Sequence, residues 1–187
     1  MGMFAHSNAW VVGAGVFVAL ATGCPRAPTG DQDDAESEGD AAWFELGWGV
    51  TEFNALAPGD ELGVVWGTQG AAMFPLPVRG GEFVLPDPPD DFESPLAPKL
   101  DLHVDIEGHD DGIGGHFLYL ANYPITFEIQ PDGSYEFLFV AAVLPDGLDP
   151  LTLEGLPVHL WAQLQPYEAE PMEIELDLVV KNGEAPN

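Results

Sequence analysis

Cysteine occurs once in this chain, and basic residues only four times, as Arg26, Arg79, Lys99 and Lys181. A single thiol excludes an intrachain disulfide and every Cys-rich metal motif, so stability must come from packing. Against 32 acidic residues, four cations leave a formal net charge of −28 at pH 7. They cannot neutralise a phosphate backbone or clamp a nucleotide, which excludes nucleic-acid binding, and they cannot hold the chain on an anionic bilayer by charge. Catalytic signatures are equally scarce. Beyond the first forty residues only Ser94 and Ser134 remain among serines, neither in a G-x-S-x-G context, and no H-E-x-x-H, G-x-G-x-x-G or P-loop occurs. A glycosidase-type carboxylate pair is the one hydrolytic chemistry left open, and the expectation is that the protein is not an enzyme.

Long hydrophobic runs are missing as well. The longest, residues 9–23 (AWVVGAGVFVALATG), has fifteen positions, short of the roughly 20 that a spanning helix needs. It reads as the apolar core of an export signal. It ends directly before the only cysteine, after Leu20-Ala21-Thr22-Gly23. This junction resembles the lipobox of bacterial lipoproteins, with Gly23 before the cut, Cys24 as the lipidated residue, and Ala21 where the family usually has Leu. The resemblance implies that residues 1–23 are a signal peptide and that the mature chain starts at Cys24, with fatty acyl groups such as palmitate on sulfur and amine. It also implies membrane attachment in the bacterial cell envelope. Pro25 stands where an Asp marks inner-membrane retention, which points to the outer membrane. At about 0.8 kcal/mol per buried methylene, several acyl chains anchor a protein without any other membrane-binding surface.

Residues 24–42 carry Asp31, Asp33, Asp34, Glu36, Glu38 and Asp40 with no large apolar residue, so this stretch is expected to be a flexible acidic tether. Asp31, Asp33 and Asp34 lack the turn glycine and terminal glutamate of a calcium loop.

Residues 43–187 are where the 46% hydrophobic and 11% aromatic content can bury a core. Their period is two. Residues 100–107 (LDLHVDIE) and 172–178 (MEIELDL) alternate without a break, and residues 156–165 (LPVHLWAQLQ) do so except at Trp161. Pro and Gly clusters at PLPVRGG, LPDPPDD, GHDDGIGG and LPDGLDP separate such runs and leave no amphipathic helix. Pro131-Asp132-Gly133 predicts a hairpin pairing Gln130 with Ser134, Ile129 with Tyr135, Phe127 with Phe137 and Ile125 with Phe139. In that register all six apolar residues share one face, and Glu128 faces Glu136. Eight or nine short strands predict an all-β domain, an antiparallel β-sandwich of immunoglobulin-like plan, with a small barrel as the other closure.

Two segments stand out as candidate sites. The first runs from His103 through Asp105, Glu107, His109, Asp110 and Asp111 to His116. Imidazoles with carboxylates suit zinc or copper, and Asp110-Asp111-Gly112 suits calcium. The spacing matches no specific metal motif, and polar residues on a strand and an acidic glycine-rich loop are equally what a solvated surface presents, so the expectation is no cofactor, with divalent-cation binding through His103, Asp105, His109, Asp110, Asp111 and His116 as the alternative. The second is residues 65–81, where Gly67, Gln69, Gly70, Met73, Phe74 and Arg79 resemble a G-x-Q-G segment of uncharacterised bacterial lipoproteins of sandwich type. That resemblance implies a fold and no activity. Gly67 and Gly70 allow a tight turn, Met73 beside Phe74 reads as core, and Arg79 is expected to pair with acids. Trp43, Trp48 and Trp161 are candidates either for core packing or for contact with an envelope protein or glycan.

Overall fold

The computed structural model describes residues 41–182. The expected signal peptide, Cys24 and the stretch expected to be a tether, as far as residue 40, lie outside the described residues. Ten strands and two short 3₁₀ turns make up the regular structure. The strands are β1 (Trp43–Trp48), β2 (Asn54–Ala55), β3 (Glu61–Trp66), β4 (Ala72–Gly81), β5 (Lys99–Ile106), β6 (Leu118–Pro124), β7 (Glu128–Ile129), β8 (Tyr135–Val143), β9 (Pro157–Gln165) and β10 (Met172–Asn182). The 3₁₀ turns are Ile113–Gly115 and Pro150–Leu153. The domain is therefore all-β, as the period-two patterning predicts.

The strands form one mixed, strongly curled sheet in the order β2-β1-β4-β3-β10-β9-β5-β6, with β8 along β4 and β7 on β8. All pairings but one are antiparallel. The exception is β3 with β10, which run parallel from Val179 beside Glu61 to Asn182 beside Val64. Strand β3 belongs to both halves of the curl: its first four residues pair β10, and Val65 and Trp66 pair Met73 and Ala72 of β4. At this switch Gly63 lets the Trp48 indole close onto the backbone. Trp48 Nε1 donates to the Gly63 carbonyl at 3.0 Å, and a Cβ on Gly63 would sit 2.5 Å from that nitrogen.

Strand β4 is central although it holds Pro75 and Pro77, which lack the N–H a ladder needs. The edge of β4 away from β8 is shared by β3 at Ala72 and Met73 and by β1 at residues 78–81. Pro75 and Pro77 fall in the gap between those partners, and the Pro75 carbonyl on that side accepts from Gly49 N–H at 3.4 Å. Opposite Pro77, β8 carries one extra residue, so that Leu76 pairs Val140 while Val78 pairs Phe137.

The predicted hairpin register is present. Ile129 pairs Tyr135, Glu128 pairs Glu136, Gln130 N–H donates to the Ser134 carbonyl at 2.8 Å, and Gly133 takes the left-handed conformation at φ 87°. The shared apolar face is only partly realised. Ile125 and Phe127 are buried and Tyr135 and Phe137 half-buried, but Ile129 and Phe139 are exposed. The ladder lasts two residues before Ile125 turns to donate its N–H to the Pro98 carbonyl. The bulge opposite Pro77 then reverses the alternation of β8, so Val140 and Ala142 point inward and Phe139 outward.

Both halves of the curl contribute to one core. Strands β5, β9 and β10 supply Leu100, Leu102, Val104 and Ile106, then Val158, Leu160, Ala162 and Leu164, then Leu176, Leu178 and Val180. These are the inward positions their patterning assigns. Met73 and Phe74 are buried, as expected for core residues. Residues between the inward ones form the outer face of β6-β5-β9-β10, where the most elaborate side-chain arrangement lies.

Candidate functional site

Strict alternation fixes which residues of this face look outward, and register fixes which of them meet. His103 of β5 lies opposite Tyr119 of β6 on one side and Trp161 of β9 on the other, and Trp161 lies opposite Glu175 of β10. Tyr119, His103, Trp161 and Glu175 thus form one row across four strands. Trp161, the residue that breaks the polar alternation of β9, lies 4.7 Å from His103 between ring centroids, and Tyr119 lies 4.9 Å from it.

A fourth ring joins from outside the ladder. After the 3₁₀ turn Ile113–Gly115, where Gly114 and Gly115 take positive φ of 73° and 85°, the chain returns over β5 and lays His116 on His103. Their centroids are 4.1 Å apart and their planes 26° from parallel. His116 Nδ1 is 2.8 Å from Asp105 Oδ1. An ionised carboxylate only accepts, so Nδ1 is the donor in this contact. Burial, then the neighbouring His116, holds the His103 imidazole below its ordinary value of 6.5, against the opposing pull of Asp105 and Asp101.

The next row is charged. Asp105, His159 and Asp177 face one another across β5, β9 and β10, and His159 Nδ1 lies 3.0 Å from Asp177 Oδ1. Beyond it a concavity of about 540 Å³ opens, lined by Asp105, Glu107, His109, Asp110, His159 and Asp177 among others. On the other side, Asp101, Gln163 and Glu173 make a third row, with Gln163 Nε2 donating to Glu173 Oε1 at 2.6 Å. Asp101 also accepts from the N–H of Asn122 at 2.6 Å, at the bulge of β6 where Asn122 adopts φ 52°.

Of the metal-ligand candidates, His103, Asp105 and His116 come together, His109 packs edge-on against Phe117 at 5.7 Å, and Asp110 joins Asp105 and His109 around the concavity. Asp111 is exposed. Among the described residues no three His, Cys, Asp or Glu side chains converge to hold a metal ion. Tyr119, His159 and Asp177 are members of the site that the linear pattern does not reveal. Period-two alternation marks them as outward, but nothing local says that β6 and β10 flank β5 and β9.

The remaining candidates have structural surroundings. Gly67 and Gly70 close the β3–β4 turn, with Gly67 N–H on the Ala71 carbonyl and Gly70 N–H on the Gly67 carbonyl, and Gln69 is exposed. Arg79 pairs with Asp132 at 2.6 Å and donates to Ser134 Oγ, while Ser134 Oγ donates to Asp132 at 2.6 Å. This locks the β7–β8 turn onto β4. Trp43 is partly exposed beside Gly81, and Trp48 is half-buried against Gly63. No described helix is long and apolar enough to cross a membrane. The chain matches no family model, no curated protein and no solved structure.

Proposed function

We propose that this chain is a lipid-anchored protein of the bacterial cell envelope, acylated at Cys24, whose β domain is a non-catalytic binding module working through the outer face of β6-β5-β9-β10. The anchor rests on the lipobox-like junction at residues 20–24 and on the acidic tether that follows, which gives the domain reach from an outer-membrane attachment point. The observation that carries the binding role is the row of Tyr119, His103 and Trp161 on an outward sheet face. Aromatic side chains placed outward, packed against one another and ringed by polar groups, supply rigid contact area at low entropic cost. Ser134, the one buried serine among the described residues, spends its hydroxyl on Asp132 and Arg79, which supports a non-catalytic reading.

Site-specific photo-crosslinking in the full-length anchored protein tests this. A photoreactive residue at Tyr119 is expected to give discrete adducts with an envelope component, and the same residue at Phe139, on the opposite half of the curl, to give none. Equal labelling from both positions, or none from Tyr119, contradicts it.

Divalent-cation binding is the second reading, favoured by Asp105, His109 and Asp110 lining one concavity. Calorimetry with zinc, copper and calcium, repeated after His109 and His116 are replaced, tests it. Heats no larger than nonspecific screening dispose of it.

A further inference from the structure

The charge of this face narrows what it binds. Its outward positions include Asp101 and Asp105 on β5 and Glu173, Glu175 and Asp177 on β10, against Lys99 on β5 and Lys181 near the end of β10. Lys181 is held by Glu61, and Arg79, on β4, by Asp132. The face thus adds local negative charge to a chain whose net charge is −28. A phosphorylated or otherwise anionic partner is repelled, whereas a cationic one is drawn in before contact.

The aromatic row selects among cations. Trp161 and Tyr119 offer π surface on either side of His103, which His116 covers, and Glu175, Asp105 and Asp177 lie one position along or across from it. A guanidinium group is planar and weakly hydrated. It stacks on aromatic faces while its N–H fork pairs with a carboxylate, whereas a lysine ammonium is a compact, strongly hydrated point charge. With strands about 4.8 Å apart the four-strand row spans about 14 Å, room for about four residues of extended chain.

We infer that the outer face of β6-β5-β9-β10 docks an arginine-bearing basic segment of another protein, with a guanidinium over Trp161 and its charge against Glu175, Asp105 and Asp177. This rests on the binding role proposed above and names the partner's chemistry.

The test uses the full-length chain in detergent and a fluorescent peptide of alternating arginine and glycine, with its lysine counterpart as control, at about 0.15 M salt. The arginine peptide is expected to bind at least about fivefold more tightly than the lysine one. Trp161→Ala, and separately Asp105→Asn with Asp177→Asn, should each weaken it by about tenfold. Asp90→Asn with Asp91→Asn, which removes the same charge from the exposed loop before β5, should change it by less than about twofold. If Trp161→Ala fails to fold, Tyr119→Leu takes its place with the same expected direction.

Equal affinity for the two peptides, equal loss from both pairs of Asp→Asn changes, or displacement of the arginine peptide by neutral chitohexaose overturns the inference. Adducts from Tyr119 that persist after such a result leave the binding role standing with a different ligand. Loss of both removes the role as well.

Discussion

His103 and His116 stack with ring centroids 4.1 Å apart, so a proton on one ring repels a proton on the other. Burial and that neighbour lower the His103 pKa below 6.5, although Asp105 and Asp101 oppose the shift. Tyr119 and Trp161 complete its surroundings from β6 and β9. The unfolded chain therefore takes up this proton first as pH falls. The stability contribution is fully present above the ordinary value of 6.5 and is lost as pH drops through the lowered one. His103→Phe keeps a stacked ring and removes the titration. Urea midpoints at about pH 7.5 and 5 are expected to differ less in the variant than in the parent chain. Equal differences contradict the assignment.

Ser134 is the buried hinge of the turn lock, accepting from Arg79 Nε at 3.2 Å and donating to Asp132. Ser134→Ala leaves a guanidinium N–H and a carboxylate lone pair to find other partners and is expected to cost about 1–2 kcal/mol in urea unfolding. The Ser134 hydroxyl first, then its backbone N–H and Arg79, hold the Asp132 carboxyl below its ordinary 3.8. That contribution is complete above 3.8 and fades as pH falls through the lowered value, so Asp132→Asn should flatten the acid limb of stability. An unchanged acid limb contradicts this.

At the strand switch, Gly63→Ala puts a methyl carbon 2.5 Å from Trp48 Nε1. The indole must move and its hydrogen bond to the Gly63 carbonyl must lengthen. A loss of about 1–3 kcal/mol is expected, with a changed Trp emission spectrum. Wild-type stability in the variant indicates that the close approach is dispensable.

The lipobox-like junction makes its own prediction. Protein extracted from membranes should start at Cys24 and carry the mass of acyl chains on sulfur and amine, and Cys24→Ala should release the chain from the membrane fraction. An unmodified thiol, or residues 1–23 still attached, contradicts it.

Where alternation is unbroken, the sequence alone is sufficient to read the structure. Strands β5, β9 and β10 bury the residues their period assigns, Met172 and Ile174 only in part, because one face must meet the core and a one-residue slip exposes every Leu and Val. Beside the turn the hairpin register was equally legible, from Gly133 and the Ile129–Tyr135 pair, whereas the expected Phe127–Phe137 and Ile125–Phe139 pairs do not form. Phe139 defeats the same reasoning. Its outward turn comes from a bulge placed opposite Pro77, a residue 62 positions away in the chain that only the fold brings near. The parallel pairing of β3 with β10 is likewise nonlocal and leaves no mark in either segment. In the site, His103, Asp105 and His116 were visible as chemistry-bearing residues close in sequence. Tyr119, His159 and Asp177 join them only through strand order, and the packing of His103 against Trp161 makes an aromatic cluster of what the spacing presents as a ligand set.

The most direct test of the account is hydroxyl-radical footprinting of the protein in intact cell envelopes against the purified full-length protein. Engagement of the outer face predicts that oxidation of Tyr119 and Trp161 falls at least about threefold in the envelope, while Phe139 and Trp43 are oxidised equally in both. Equal oxidation of Tyr119 and Trp161 in the two settings, or protection centred on Phe139, contradicts it.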